Sequence, residues 1–288
     1  MRILKVGIAV FCGLCFSLST PSYAQKDTQT STLNKIKERG VFLAGVRFDY
    51  PPNGFVNSQG EVVGYGPDLA REFAKHLGVD VKFVQSTSQT RIPLLLNEQI
   101  DAEIGITTPS KPRDEVVDFS LVYNIEPTVI LVREGDSVDP KDYMGSGKVI
   151  GALQGSIFGD LWRELDPDAE FKLYQEYPQL SVAVLQGKVD ASLMNYATAV
   201  EFSENHKGKL VIGEPFFRDV HSIMVRENDS KWLNWIDWTL QRLWKEGQIQ
   251  ELYEKYYKLK PEMDIWQNNM LQPGVETIGD KDDYWVDE

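Results

Sequence analysis

The chain has 288 residues, 43 of them acidic against 30 basic, and a net charge of −13. That balance disfavours binding to nucleic acid or to an anionic lipid surface, which would repel it. Both cysteines, Cys12 and Cys15, fall near the start, so the remainder must rest on a packed core rather than on disulfides.

The first 24 residues read as an export signal. Arg2 and Lys5 form a basic start, residues 6–18 are mostly apolar, and Ser22-Tyr23-Ala24 is a small-x-small cleavage site. The apolar run is too short for a comfortable membrane span. Cleavage after Ala24 leaves 264 of the 288 residues, and losing Arg2 and Lys5 takes the charge from −13 to −15. That length fits one large or two medium domains.

Residues 33–39 form a short helix closed by Gly40, and 41–46 a buried strand. Pro51 and Pro52 stiffen the turn that follows. Phe55-Val56 and Val62-Val63 flank a hairpin turn. Pro67 opens a helix with Leu69, Phe73 and Leu77 on its apolar face, and Gly78 stops it. Val79, Val81 and Phe83 alternate as a strand, 92–97 is helical, and the next strand starts at Asp101 and ends before Pro109. This β-α-β-α-β order signals a parallel sheet.

An apolar run at 128–132 leads into a second series, with strands at 148–153, 171–174 and 191–194 and helices at 158–164, 179–186 and 197–204. The punctuation repeats: Glu98-Gln99-Ile100-Asp101 answers Gly187-Lys188-Val189-Asp190. Two α/β lobes of similar build imply a cleft between them, a favoured place for a ligand. A strand at 222–225 and helices at 231–246 and 249–256 follow, the first with a core stripe of Trp232, Trp235, Ile236, Leu240, Leu243 and Trp244. Residues 261–288 form a polar, acidic tail.

The stretch from Asp101 to Arg113 is the centre of the candidate site. Thr107 and Thr108 offer hydroxyls and N–H groups at the carboxyl end of a strand, where ligands of open α/β sheets bind. Arg113 is close enough to fold over them, which makes a carboxylate cradle, or else a solvated arginine after an ordinary turn. Arg47 and Arg91 fall at loops on the same edge. Three converging guanidinium groups suit a ligand with more than one negative group, and three separate surface arginines are the alternative. Gly145-Ser146-Gly147-Lys148 lacks the spacing of a phosphate loop, and His76, His206 and His221 lack metal-ligand spacing.

Taken together, these motifs resemble the periplasmic solute-binding proteins of ABC importers, family 3, the polar amino acid class, over nearly all of residues 33–257. The likeness rests on Gly64-Tyr65-Gly66-Pro67-Asp68-Leu69-Ala70, in which Gly66 stands where an acid is usual, on Asp101 through Arg113 with Val117-Asp118-Phe119-Ser120, and on Leu153-Gln154-Gly155-Ser156. The resemblance implies an α/β, two-lobed periplasmic-binding-protein fold (type II) with a hinge between lobes. Lobe 1 would take 31–124 and 222–260 and lobe 2 125–221, with crossovers near 123–128 and 220–222.

By the same resemblance, Arg113 clamps a ligand α-carboxylate, helped by Thr108 and the Gly105–Ile106 backbone. Tyr50 covers the ligand, and Ser156 with the Ile157 N–H contacts it from lobe 2. The motifs look most like those of glutamate/aspartate binders, in which the residues matching Arg47 and Arg91 engage a side-chain carboxylate and Tyr177 stands where they carry a histidine. The implied partners are a small anionic ligand and an ABC permease in the inner membrane. The implied protein is a periplasmic monomer with no cofactor, no metal and no catalytic residue. One departure stands out: Asn195 replaces the aspartate that usually holds the ligand ammonium. Either Glu103, Asp49 or another acid compensates, or the ligand is an amine-free organic acid. An enzyme on the same fold, of a dehydratase kind, is the alternative of a different class.

Overall fold

The structure, a computed structural model, describes residues 31–258; the expected signal segment and the 261–288 tail lie outside them. Helix α1 (Thr32–Arg39) starts where the Ser31 hydroxyl accepts from the Leu33 N–H and stops at Gly40. The first parallel series is β1 (Val41–Val46), α2 (Tyr65–Leu77), β5 (Asp80–Gln85), α3 (Arg91–Leu96) and β6 (Ala102–Thr107), with β1 between β5 and β6. Between β1 and α2, β2 (Asp49–Tyr50), β3 (Gly54–Val56) and β4 (Val62–Val63) make a small antiparallel sheet that includes the expected hairpin.

The second parallel series is β8 (Val149–Leu153), α5 (Phe158–Leu165), β9 (Glu170–Tyr174), α6 (Tyr177–Leu185) and β10 (Ala191–Asn195), with β8 between β9 and β10. Helix α7 (Tyr196–Asn205) follows directly. The two series are joined by β7 (Val117–Arg133) and β11 (Leu210–Arg226), antiparallel strands of 17 residues each. The sheet order is β5-β1-β6-β11-β7-β10-β8-β9. The carboxyl half of β11 pairs with β6, while the carboxyl half of β7 pairs with β10. The crossovers expected near 123–128 and 220–222 are therefore the middles of these strands, and β11 shifts register between His221 and Ser222.

The repeated punctuation has a repeated structure. Asp101 at the start of β6 accepts from the Leu43 N–H of β1, and its own N–H donates to the Leu43 carbonyl at 2.8 Å. Asp190 before β10 does the same with Val149 of β8, at 2.8 Å in both directions. Ile100 packs on Gly45 where Val189 packs on Gly151. Each aspartate thus locks the entry of a middle strand to its parallel neighbour and sets the register of the strand ends that carry the candidate site.

Helices α8 (Ser230–Lys245) and α9 (Gln248–Tyr257) cover the first series. The expected stripe is core: Trp232, Ile236, Leu240 and Leu243 are fully buried, and Trp232 stacks on Trp235 and meets Phe42 edge-on. Trp238, on the other face, is exposed. Gly66 explains its own departure from the resembled signature. A Cβ there would lie 2.3 Å from the Ile104 carbonyl of β6, so no side chain fits between α2 and the sheet.

Candidate functional site

Strand β6 ends in a forced turn. Ile106 has φ +61°, a left-handed conformation that a β-branched residue adopts only when its surroundings impose it. Here the Ile106 N–H donates to the Tyr123 hydroxyl at 3.1 Å. At Gly105 a Cβ would lie 2.1 Å from Glu103 Oε1, so the glycine lets that carboxylate fold back along its own strand. Glu103, fully buried, accepts from Thr107 Oγ1 at 2.7 Å and from Ser86 Oγ at 3.4 Å.

Arg91, at the start of α3, donates to Thr107 Oγ1 at 2.6 Å and to the Gly155 carbonyl at 3.4 Å. Arg113, in the short helix α4 (Lys111–Asp114), donates to the Thr108 carbonyl at 2.6 Å and to the same Gly155 carbonyl at 3.1 Å. Two of the three sequence-predicted arginines thus converge on one point, the turn after β8. That turn approaches closely: a Cβ on Gly155 would meet the Ser88 carbonyl at 2.9 Å. Burial, and then the neighbouring Arg113, push the Arg91 pKa down to about 10. Burial lowers that of Arg113 as well, against the pull of Glu103 and Asp219. Both remain cationic at neutral pH, and the Arg91 Nε is buried without a partner.

Arg47 is placed differently. It forms a two-pronged ion pair with Asp49, Nε to Oδ1 at 2.9 Å and Nη2 to Oδ2 at 2.8 Å, with both side chains almost fully buried. Burial pushes its pKa down and Asp49 more than reverses this, leaving it above the usual range. Its charge is thereby balanced. The guanidinium also lies 5.8 Å and 5.5 Å from the rings of Tyr50 and Tyr177. Those two rings stack with centroids 3.8 Å apart and planes at 8°. The Tyr177 N–H reaches across to Asp49 Oδ2 at 3.2 Å.

Ser156 donates its hydroxyl to the Leu153 carbonyl at 2.9 Å, holding the turn after β8, and Ile157 is the residue capping α5. Asn195 closes β10. Its Oδ1 accepts from the Tyr50 hydroxyl, and its Nδ2 donates to Asp219 Oδ2 at 3.1 Å.

Asp219 is the residue the sequence reading missed. It lies in the middle of β11, is 1% exposed, and accepts from Thr108 Oγ1 at 2.6 Å, Asn195 Nδ2 at 3.1 Å and His221 Nε2 at 2.8 Å. Burial raises its pKa, but the His221 imidazole and the hydrogen bonds from Thr108 and Asn195 outweigh that, so the carboxyl sits below its usual range and is ionised. Behind it, Asn124 Nδ2 donates to His221 Nδ1 at 3.2 Å and to Glu126 Oε1 at 3.0 Å. Burial raises the Glu126 pKa, opposed by His221 and by bonds from Asn124 and the Ala197 N–H of α7. The one sequence signal for this group was spacing. Asp219 and His221 share a strand face at i and i+2, and both are polar where a buried strand follows.

Among the described residues no group of His, Cys, Asp or Glu could hold a metal ion, and no helix is long and apolar enough to cross a membrane. Guanidinium groups, hydroxyls, a carboxylate and stacked rings, drawn from strand ends of both series, describe a site for a small polar molecule. The chain belongs to the bacterial extracellular solute-binding proteins, family 3, whose family model matches residues 43–259. It is 29% identical over 265 residues to the ABC transporter glutamine-binding protein GlnH of Bacillus subtilis (strain 168), covering 91% of this chain and 97% of the relative. It is 26% identical to the glutamate/aspartate import solute-binding protein of Salmonella typhimurium (strain LT2), covering 79% and 80%. Among solved structures, the P235GK mutant of ArgBP from T. maritima superposes with a TM-score of 0.73 at 31% identity, over 79% of this chain and all of that one.

Proposed function

We propose that the protein is the periplasmic receptor of an ABC importer and captures a small anionic α-amino acid for an inner-membrane permease. In this reading it works as a monomer without cofactor or catalytic residue. The relatives named for glutamine and for glutamate/aspartate support the transport class without choosing between the two ligands. The choice rests on one observation: Arg91 and Arg113 meet at the Gly155 carbonyl, and among the described residues neither forms an ion pair. Two adjacent cations that repel each other suit two carboxylates better than one.

In the proposed arrangement, residues 31–124 with 222–260 form one lobe and 125–221 the other, and they close by bending β7 and β11. Arg113, the Gly105–Ile106 backbone and Thr108 hold the α-carboxylate. Arg91 takes the side-chain carboxylate. Tyr50, Tyr177, Ser156 and Ile157 enclose the ligand. Arg47 acts through Asp49 and the two tyrosine rings.

A thermal-shift screen of L-amino acids and their amine-free analogues tests this. A ligand present at about 100 times its Kd should stabilise the protein by about 2.7 kcal/mol. L-Glutamate or L-aspartate should give the largest shift, and a response confined to neutral or basic amino acids would reject the anionic ligand.

A further inference from the structure

The residue that should meet the ligand ammonium is an amide here, and the sequence leaves open which acid compensates. Glu103 and Asp49 were the named alternatives. Asp49 is gripped at both oxygens by Arg47. Glu103 is turned back along β6, onto Thr107 and Ser86. Glu126 faces the amino end of α7, where it accepts from the Ala197 N–H at 3.3 Å. Glu103 and Glu126 are thus held by neighbouring hydroxyl and backbone donors, and the Asp49 charge is balanced by Arg47.

Asp219 differs in position. It bridges Thr108, which follows β6, and Asn195, which ends β10, so it lies where the two series meet. Its three donors are a hydroxyl, a carboxamide and an imidazole. Asn124 Nδ2 lies 3.2 Å from His221 Nδ1, and His221 Nε2 lies 2.8 Å from Asp219 Oδ2. These donors hold the Asp219 carboxyl below its usual range, so it is ionised at 1% exposure.

Asn195 cannot take that role. A carboxylate only accepts, so the amide must turn Nδ2 to Asp219 and Oδ1 to the Tyr50 hydroxyl. One lone pair of Oδ1 remains, and an amide oxygen carries no net charge.

We propose that Asp219, on β11, is the carboxylate that receives the α-ammonium group of the ligand, with Asn195 as a neutral spacer that orients it. The acceptor charge has moved across one hydrogen bond, from the end of β10 to the middle of β11. The structure therefore selects a ligand with an amine. This rests on the amino-acid reading above but not on the acidity of the side chain.

The test is calorimetry on the full mature chain with L-glutamate and with glutarate, which lacks the amine. Asp219→Asn should weaken L-glutamate by about 30-fold or more, the loss expected for one partner of a buried charged pair, and change glutarate little. The swap Asn195→Asp/Asp219→Asn returns one carboxylate to the same contact. It should recover at least about ten-fold of the lost affinity, and it carries the comparison if Asp219→Asn alone folds poorly. A purely structural role for Asp219 predicts equal losses for both ligands and no recovery in the swap; that result, or unchanged L-glutamate affinity in Asp219→Asn, overturns the proposal. If the wild type binds L-glutamine and not L-glutamate, the anionic-ligand reading fails. The Asp219 comparison is then made with L-glutamine against its amine-free analogue. A wild type that binds glutarate and no amino acid, or binds nothing in the panel, overturns both.

Discussion

Asn195→Asp restores the residue that the family usually carries, and sequence reasoning expects it to strengthen an amino-acid site. The structure gives it a cost as well. Asn195 Nδ2 is 3.1 Å from Asp219 Oδ2, and both side chains are 1% exposed. Two carboxylates at that distance repel by about 5 kcal/mol at an effective dielectric of about 20. That repulsion holds one carboxyl of the pair well above the usual carboxylate range. At pH 7 the folded pair therefore holds a proton that the unfolded chain does not, and the variant should be less stable than wild type by about 4 kcal/mol. The folded pKa is raised above the unfolded one, so the deficit is absent below about pH 4 and grows as pH rises above it. Urea denaturation of both proteins at pH 4.5, 6 and 7.5, without ligand, measures it. A deficit that does not change with pH, or no deficit at pH 7.5, would show that Asp219 is not an ionised neighbour of residue 195.

Two further predictions concern stability away from the seam. The Asp237 carboxylate on α8 accepts from the Leu121 N–H at 2.8 Å, and burial raises its pKa to about 6. The folded pKa lies above the unfolded one, so stability falls as pH rises from about 4 to about 6. Asp237→Asn keeps the acceptor without the charge and should raise stability by about 1–3 kcal/mol above pH 6, with no gain below pH 4, as read from melting temperatures across that range. Gly66→Ala should destabilise by at least about 1–3 kcal/mol, because its Cβ would meet the Ile104 backbone carbonyl at 2.3 Å. An unchanged urea midpoint would mean that α2 can move off the sheet.

The βα units were legible because each carries its own local signals. The helix at 65–77 shows a four-residue apolar spacing and a glycine stop, and the β1 and β6 strands show buried apolar runs. The two long strands were not legible. Asn124, Glu126 and Pro127 interrupt β7, and Gly213, Glu214 and Pro215 interrupt β11, so only their apolar ends looked like strands. Those middles are held by pairing with each other, a long-range fact that no local pattern carries. The site shows the same division. Arg91 donates to Thr107 and Arg113 to Thr108, and both reach the Gly155 carbonyl, close together as their positions at loops on one sheet edge suggested. Arg47 turned out to be neutralised by Asp49, two positions on across the turn between β1 and β2. Asp219 could not have been ranked above the other acids, because its role depends on Thr108 and Asn195, which are 111 and 24 residues away.

The central claim is that two cations on one edge of the seam and one carboxylate on the other select an anionic α-amino acid. Isothermal calorimetry of the wild-type protein with L-glutamate and L-glutamine, at the same pH and ionic strength, tests it most directly. The two ligands differ by one charge and hardly in shape. The account predicts that L-glutamate binds at least about 30-fold more tightly, the effect of one charged partner at a buried guanidinium. Equal affinities, or tighter binding of L-glutamine, would contradict it.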